Sequence, residues 1–361
     1  MLQCNKACRR DRKSLLRRTS GKISALAGGF LFLWAATAAL TYQQPEVGRA
    51  LQGRQEFDEN NKESQRYAGP AASQKTAAQP DDYRLRIDAN LVVLHATVLD
   101  KNSTPVTDLV QSDFRVFEND AEQKLKVFKR EDIPVSVGIV VDNSGSMRDK
   151  RRGVNAAALK FVRTSNPKDE VFIVNFNDEA YLDADFTDNI KLLDEGLEKI
   201  DARGGTALYD TVGMSLRHLT ERGTRDKKVL LVITDGEDNA SRWSLEQAVK
   251  TVQHSNAVIY TVGLLGDDGP RSTRRAKRAL EAISKASGGA VYFPKNPDEV
   301  LSIATAISND IRNQFVLAYT PTNLAYDGSF RKVEVRVNSR KYGKLLVRTS
   351  TGYYAKDQAP S

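Results

Sequence analysis

The sequence predicts an α/β protein: a doubly wound, mostly parallel sheet flanked by helices, inserted into a small β-sandwich formed by the segments on either side. Three observations lead there. From Val135 onward, apolar runs of strand length alternate with amphipathic helical stretches, the pattern of parallel βαβ units. Short segments of strand character stand before and after that region. Two or three such strands rarely bury enough surface to be stable alone, so residues 83–132 and 315–354 are expected to pair with one another.

The chain has 361 residues, 40% hydrophobic and 7% aromatic, enough to bury the cores of two domains. Its formal charge of +8 is unevenly spread. Residues 1–22 hold eight basic side chains against one acid, Asp11, which leaves the remainder nearly neutral. A nucleic-acid partner is therefore not indicated, because phosphate binding needs a clustered cationic surface on the folded domain. Residues 23–40, ISALAGGFLFLWAATAAL, are eighteen positions without a charge. Behind a basic lead, such a run predicts a signal peptide or an uncleaved signal anchor over 1–40, with Ala36-Thr37-Ala38 as a cleavage signal. Everything beyond Leu40 is then exported, either to the periplasm or cell surface as an anchored protein or as a secreted one. Cys4 and Cys8 both precede the apolar run, so the exported part has no thiol for a disulfide or a soft metal. Arg9-Arg10 and Arg17-Arg18 lack the apolar pair expected of twin-arginine export.

Residues 41–82 are rich in Gln, Glu, Asn, Ala and Pro without apolar periodicity, and are predicted to be a disordered linker. Strands follow at 85–99, 114–118 and 124–128. The α/β region, 134–313, supplies strands at 135–141, 171–176, 229–233, 258–262 and 291–293. Helices are predicted between and after them at 152–164, 189–200, 208–219, 245–254, 276–286 and 298–312. Strand patterns return at 315–319, 330–337 and 344–348, and residues 355–361 form a tail.

The residues that carry chemistry sit at strand ends. The apolar run before Asp142 leads into Asp142-Asn143-Ser144-Gly145-Ser146. In an open α/β sheet, ligands bind beyond the carboxyl ends of the strands, where this loop falls. A carboxylate with two hydroxyls at alternate positions is a compact set of hard oxygens, suited to Mg²⁺, Mn²⁺ or Ca²⁺ rather than Zn²⁺. Two further loops supply matching groups: Gly204-Gly205-Thr206 before a helix, and Thr234-Asp235-Gly236 after another apolar strand. Taken alone, Asp-x-Ser-x-Ser is also what a helix N-cap looks like, and Thr-Asp-Gly a turn.

At these residues the sequence resembles the von Willebrand factor type A family, whose metal-ion-dependent adhesion site reads D-x-S-x-S, then a loop Thr, then a strand-terminal Asp. Asp142, Ser144, Ser146, Thr206 and Asp235 match in order. The resemblance implies that Ser144 and Ser146 hold a divalent cation directly, Mg²⁺ before Mn²⁺ or Ca²⁺. Thr206 would bind directly or through water, and Asp142 and Asp235 mostly through water. It further implies that a carboxylate of a protein partner completes the coordination. The layout of the whole chain is also similar to exported A-domain-related proteins described from acidobacteria. Two other functions are weighed. One is a scaffold subunit of an envelope complex, whose metal only stabilises loops. The more remote one is a metal-assisted hydrolase, but His95, His218 and His254 are scattered, and no hydrolase or phosphate-loop motif occurs. A non-catalytic role is therefore expected. The basic run Arg271-Ser-Thr-Arg-Arg-Ala-Lys-Arg278 reads as a solvated helix face.

Overall fold

The computed structural model describes residues 91–130, 132–199, 202–266, 269–296 and 299–357, and the backbone of 55–56. These belong to one compact unit, Leu51–Ser361. The predicted signal segment at 1–40, the predicted linker apart from 55–56, residues 83–90 and the last four residues lie outside the described ones. Among the described residues, no helix is long and apolar enough to cross a membrane.

Fifteen strands and six helices are described: β1 Gln55–Glu56, β2 Val92–Leu99, β3 Phe114–Glu118, β4 Ala121–Gln123, β5 Leu125–Lys129, β6 Val135–Asp142, α1 Arg151–Thr164, β7 Glu170–Phe176, β8 Ala180–Thr187, α2 Ile190–Glu198, α3 Leu208–Arg222, β9 Lys227–Thr234, α4 Leu245–Ser255, β10 Val258–Gly263, α5 Pro270–Ser287, β11 Val291–Tyr292, α6 Glu299–Arg312, β12 Phe315–Tyr319, β13 Phe330–Val337, β14 Leu346–Arg348 and β15 Gly352–Tyr354.

β6 organises the α/β part. All eight of its residues are buried, as expected of a strand covered on both faces. It pairs in parallel with β7 on one side and β9 on the other. The sheet order is β1-β8-β7-β6-β9-β10-β11, so the chain first winds outward through β7 and β8, then restarts at β9 and winds the other way. One core cluster joins Val137, Ile139 and Val141 of β6 to apolar residues of α1, α2 and α6. The other joins Val140 to residues of α3, α4 and α5. Gly138 makes the second layer fit, since a Cβ there would lie 2.3 Å from the Phe172 ring.

Two strands extend the sheet beyond the five predicted from sequence. β8, AYLDADFT, runs antiparallel on β7, and the two acids set between its apolar residues, Asp183 and Asp185, hide it from a search for continuous apolar runs. β1 pairs with β8 inside the stretch read as a linker, so residues 55–56 correct that reading. Helix α5 begins six residues before its predicted start. Pro270 suits the first helical turn, and the polar RSTRR that follows shows no apolar periodicity.

The flanking segments form two four-stranded sheets, β14-β2-β12-β5 and β15-β13-β3-β4. Both sheets combine strands from before and after the α/β region: in the first the two sources alternate, with β12 between β2 and β5, and in the second they join where β13 pairs with β3. A shared core that includes Leu94, Val98, Phe114, Phe315, Leu317 and Val333 lies between the sheets. Rings of Phe114 and Phe315 meet at 5.0 Å.

The C-terminal end of α6 ties the two parts together. Buried Asp310 accepts hydrogen bonds from Thr97 Oγ1 (2.9 Å) on β2, Tyr260 OH (2.8 Å) on β10 and Arg348 Nη2 (2.9 Å) on β14. Beside it, Arg312 pairs with Asp132 at 2.9 Å and with Asp169. Lys227 Nζ donates to the Ile311 carbonyl at 2.5 Å. Burial, aided by the Arg312 charge, pushes the Lys227 amine down to about 7, against partial support from Asp310, Asp132 and Asp169.

Two outcomes are expected. Asp310→Ala strands the Arg348 cation and two hydroxyls, and should lower the unfolding free energy by about 3–5 kcal/mol in urea titrations. For Lys227, the folded chain binds fewer protons than the unfolded chain between about pH 7 and the amine's ordinary value of 10.5. Wild-type stability should therefore rise relative to Lys227→Met across that window and run parallel to it below pH 7. Melting curves at pH 7 and pH 10 check this.

Candidate metal centre

Because the chain restarts at β9 next to β6, the loops leaving these two strands head to opposite faces of the sheet: α1 packs on one side and α4 on the other. A crevice between such loops is where open α/β sheets take ligands. Asp142 closes β6 and Asp235 directly follows β9, so both carboxylates stand at this crevice.

Asp142 is buried, and both of its oxygens are engaged. Oδ1 accepts from the Ser144 N–H at 2.8 Å, which shapes the turn, and Oδ2 accepts from Thr234 Oγ1 at 2.5 Å. Burial raises its carboxyl to about 6; bonds from Thr234 and Ser144 work against the rise, and the nearby Asp235 charge adds to it. A tight turn at Gly145–Met147 follows. Ser144 stands at its N-cap position, yet its hydroxyl caps nothing. Instead Ser144 Oγ lies 3.2 Å from Ser146 Oγ, and Ser146 Oγ donates to Asp235 Oδ1 at 2.9 Å. The N-cap reading of this motif is thereby set aside.

Thr206 enters from the third loop. Its N–H donates to Asn239 Oδ1 at 2.9 Å, and its carbonyl accepts from the N–H groups of Asn239 (3.0 Å) and Ala240 (3.3 Å). This clamp holds the buried threonine against the Asp235 loop: a Cβ built on Gly236 would sit 3.6 Å from Thr206 Oγ1. Gly204 makes the approach with φ +73°. A side chain at that position would also collide with Asp178, which accepts from the Gly205 N–H at 2.8 Å.

Asp142, Ser144, Ser146 and Asp235 thus form an unbroken run of contacts, with Thr206 beside its far end. Sequence reasoning missed Lys150, whose Nζ lies 2.5 Å from Asp235 Oδ2, and Thr234, which holds Asp142. Thr234 could have been flagged by adjacency to Asp235. For Lys150 no local signal exists.

The donor set is two carboxylates and three hydroxyls. No group of three or more His, Cys, Asp or Glu able to hold a metal occurs among the described residues. Such an oxygen set, low in anions, suits a hard divalent cation that keeps water or takes an outside anion. The arrangement already attracts one cation, the Lys150 ammonium, so its field has the sign a metal requires. The three histidines lie elsewhere. His95 is half-buried on β2, its pKa pushed down to about 3 by desolvation of the ring and by the Lys227 charge, His218 of α3 contacts Asp185 at 2.9 Å, and His254 of α4 stacks on Tyr354.

A family model for the von Willebrand factor type A domain matches residues 137–237, from β6 through the Asp235 loop. Over those residues the chain is similar to von Willebrand factor type A domains. An uncharacterized protein of Synechocystis sp. is 24% identical over 174 residues, 47% of this chain and 40% of that relative, so less than half of the relative's length is spanned. Among solved structures, the vWF domain of the type V pili tip protein Mfa5 from Porphyromonas gingivalis matches with a TM-score of 0.42 and 14% identity, over 50% of this chain and 95% of that one. Proximal thread matrix protein 1 from the mussel byssus, with a zinc-occupied MIDAS motif, matches with a TM-score of 0.43 and 17% identity, over 54% and 50% of the two chains.

The raised Asp142 pKa predicts a sign. With a folded value near 6 against an ordinary 3.8, stability from this group is lost as pH climbs through that interval and stays lost at pH 7. Under chelator at pH 7, Asp142→Asn should therefore be more stable than wild type by on the order of 1–3 kcal/mol, a difference that vanishes near pH 4. Thermal melts at the two pH values measure it.

Proposed function

We propose that this domain binds a divalent cation through Asp142, Ser144, Ser146, Thr206 and Asp235, Mg²⁺ before Mn²⁺ or Ca²⁺, and uses it to hold a carboxylate of a protein partner outside the cytoplasm. The observation that carries this reading is the convergence of three loops, distant in sequence, on one patch of hydroxyl and carboxylate oxygens at the switch point of the sheet. When bound, the cation supplies a Lewis-acidic position for an outside anion. The chain's own groups divide the remaining work. Thr234 and the Ser144 N–H orient Asp142, the Asn239 clamp presents Thr206, and Ser146 bridges toward Asp235.

Basic side chains around the rim favour an acidic ligand. Arg148 Nη2 donates to the Ala202 carbonyl at 3.1 Å, the exposed Arg203 follows on the same loop, and Arg275 of α5 pairs with Glu237 at 2.6 Å, two residues beyond Asp235. Part of the basic run on α5 thus borders the site. Export is supported by the apolar run at 23–40 behind its basic lead. A binding role is preferred to a catalytic one because all three histidines stand away from the hydroxyls.

Calorimetric titration with Mg²⁺ and Mn²⁺ tests the proposal, with wild type beside Asp142→Ala and Ser144→Ala and with melting temperatures read in parallel. Wild type is expected to bind, and both variants to lose binding while still melting cooperatively. Cooperative melting of wild type without metal binding would overturn the reading. Collapse of the fold on chelation would instead favour the scaffold role, with the metal holding the loops.

A further inference from the structure

The site contains a cation of its own. Lys150 Nζ sits 2.5 Å from Asp235 Oδ2, with the Asp235 side chain fully buried and that of Lys150 27% exposed. The ammonium therefore reaches in from the solvent side and meets the carboxylate oxygen that the Ser146 hydroxyl leaves free.

Local energetics do not favour a lysine here. Lys150 is the N-cap residue of α1, the next two residues are Arg151 and Arg152, and the first turn has no acid. Three cations at the positive end of a helix dipole are each unfavourable. For Lys150, the compensating anion is Asp235. The backbone at this position is fixed, since its N–H donates to the Met147 carbonyl at 2.9 Å and its carbonyl accepts from Val154 at 3.1 Å. The side chain is not so confined. It hangs on a flexible four-carbon stem and faces exposed Gly266, where even an added Cβ would lie 3.8 Å from Nζ. It can leave Asp235 without any change in the fold.

We propose that Lys150 is a tethered competitor for the metal. Its ammonium and the divalent cation are alternative counter-ions of Asp235, and metal entry displaces Lys150 toward the rim, where it joins the basic side chains available to an acidic ligand. This rests on the metal-binding reading above. Two positive charges within a few ångströms of one another around a buried carboxylate repel strongly, so the metal's apparent affinity is set partly by how readily the lysine leaves. Removing the ammonium while keeping the stem's bulk removes the competition.

The full chain is used for the test. Lys150→Met and Lys150→Arg are titrated calorimetrically with Mg²⁺ and Mn²⁺ beside wild type. In parallel, trace acetylation of Lys150 in wild type is followed by mass spectrometry with and without saturating Mg²⁺. Lys150→Met is expected to bind about two- to fivefold more tightly than wild type, the scale of one partly exposed ion pair, while Lys150→Arg stays near wild type. Mg²⁺ should accelerate acetylation of Lys150. Equal or weaker binding by Lys150→Met, with wild type binding normally, would overturn the competitor role and leave the metal site standing, as would an acetylation rate indifferent to Mg²⁺. If wild type and Lys150→Met both melt cooperatively and neither takes metal, the metal reading itself falls. Should Lys150→Met not fold, the acetylation arm decides on wild type alone.

Discussion

The burial of β6 on both faces is the constraint from which the rest of the molecule follows. A strand with no exposed residue must be covered by two layers of helices, and the chain meets that demand by winding outward from β6 in both directions. The reversal of direction makes the crevice. It also forces the residue at the end of β6 to be buried, so Asp142 carries a carboxylate into surroundings that favour its neutral form. Only groups arriving from β9 and from the turn at Ser144 can hold it there, and both do.

The same economy appears at the opposite end of the sheet. Helix α6 closes the α/β part and leads into β12, which is central to one sheet of the sandwich. Its last turn gathers charged and polar groups from both parts around Asp310, with Arg312 and Lys227 alongside. A buried network of this kind is tolerable only while its members are satisfied, and so it fixes the α6 terminus against the sandwich. Since β2 and β12 pair across the insertion, the sandwich cannot form without the two ends of the α/β part being brought together.

At the crevice, electrostatics are balanced rather than settled. Two buried carboxylates face each other's field, hydroxyls bridge between them, and the cations nearby are supplied by the N-terminus of α1 and the surrounding loops. Arg275 of α5, part of a run that by sequence alone looks like a solvated helix face, reaches Glu237 beside Asp235 because α5 starts at the end of the sheet where the site lies.

Much of this could be read from sequence, for a physical reason. The strands β6, β7, β9, β10 and β11 stand out because a parallel strand covered on both sides needs consecutive apolar residues, and Asp142, Ser144 and Ser146 stand out because their spacing is local. Thr206 and Asp235 each had only a turn-like local signature, and joined the set by their places on a loop before a helix and at the end of an apolar strand, and by resemblance to a family pattern. β8 escaped because Asp183 and Asp185 interrupt its apolar residues, and β1 because two residues carry no period. The bond from Thr234 to Asp142 and the pairing of Lys150 with Asp235 belong to no window of the sequence. Both join residues separated by 85 or more positions, and only the parallel register of β6 against β9, which aligns Val141 with Ile233, brings them within reach. Sequence by itself determined which groups could serve a site, since residue type and local spacing are written in the chain. Tertiary structure alone decided which charges meet there, since that depends on strand order and register.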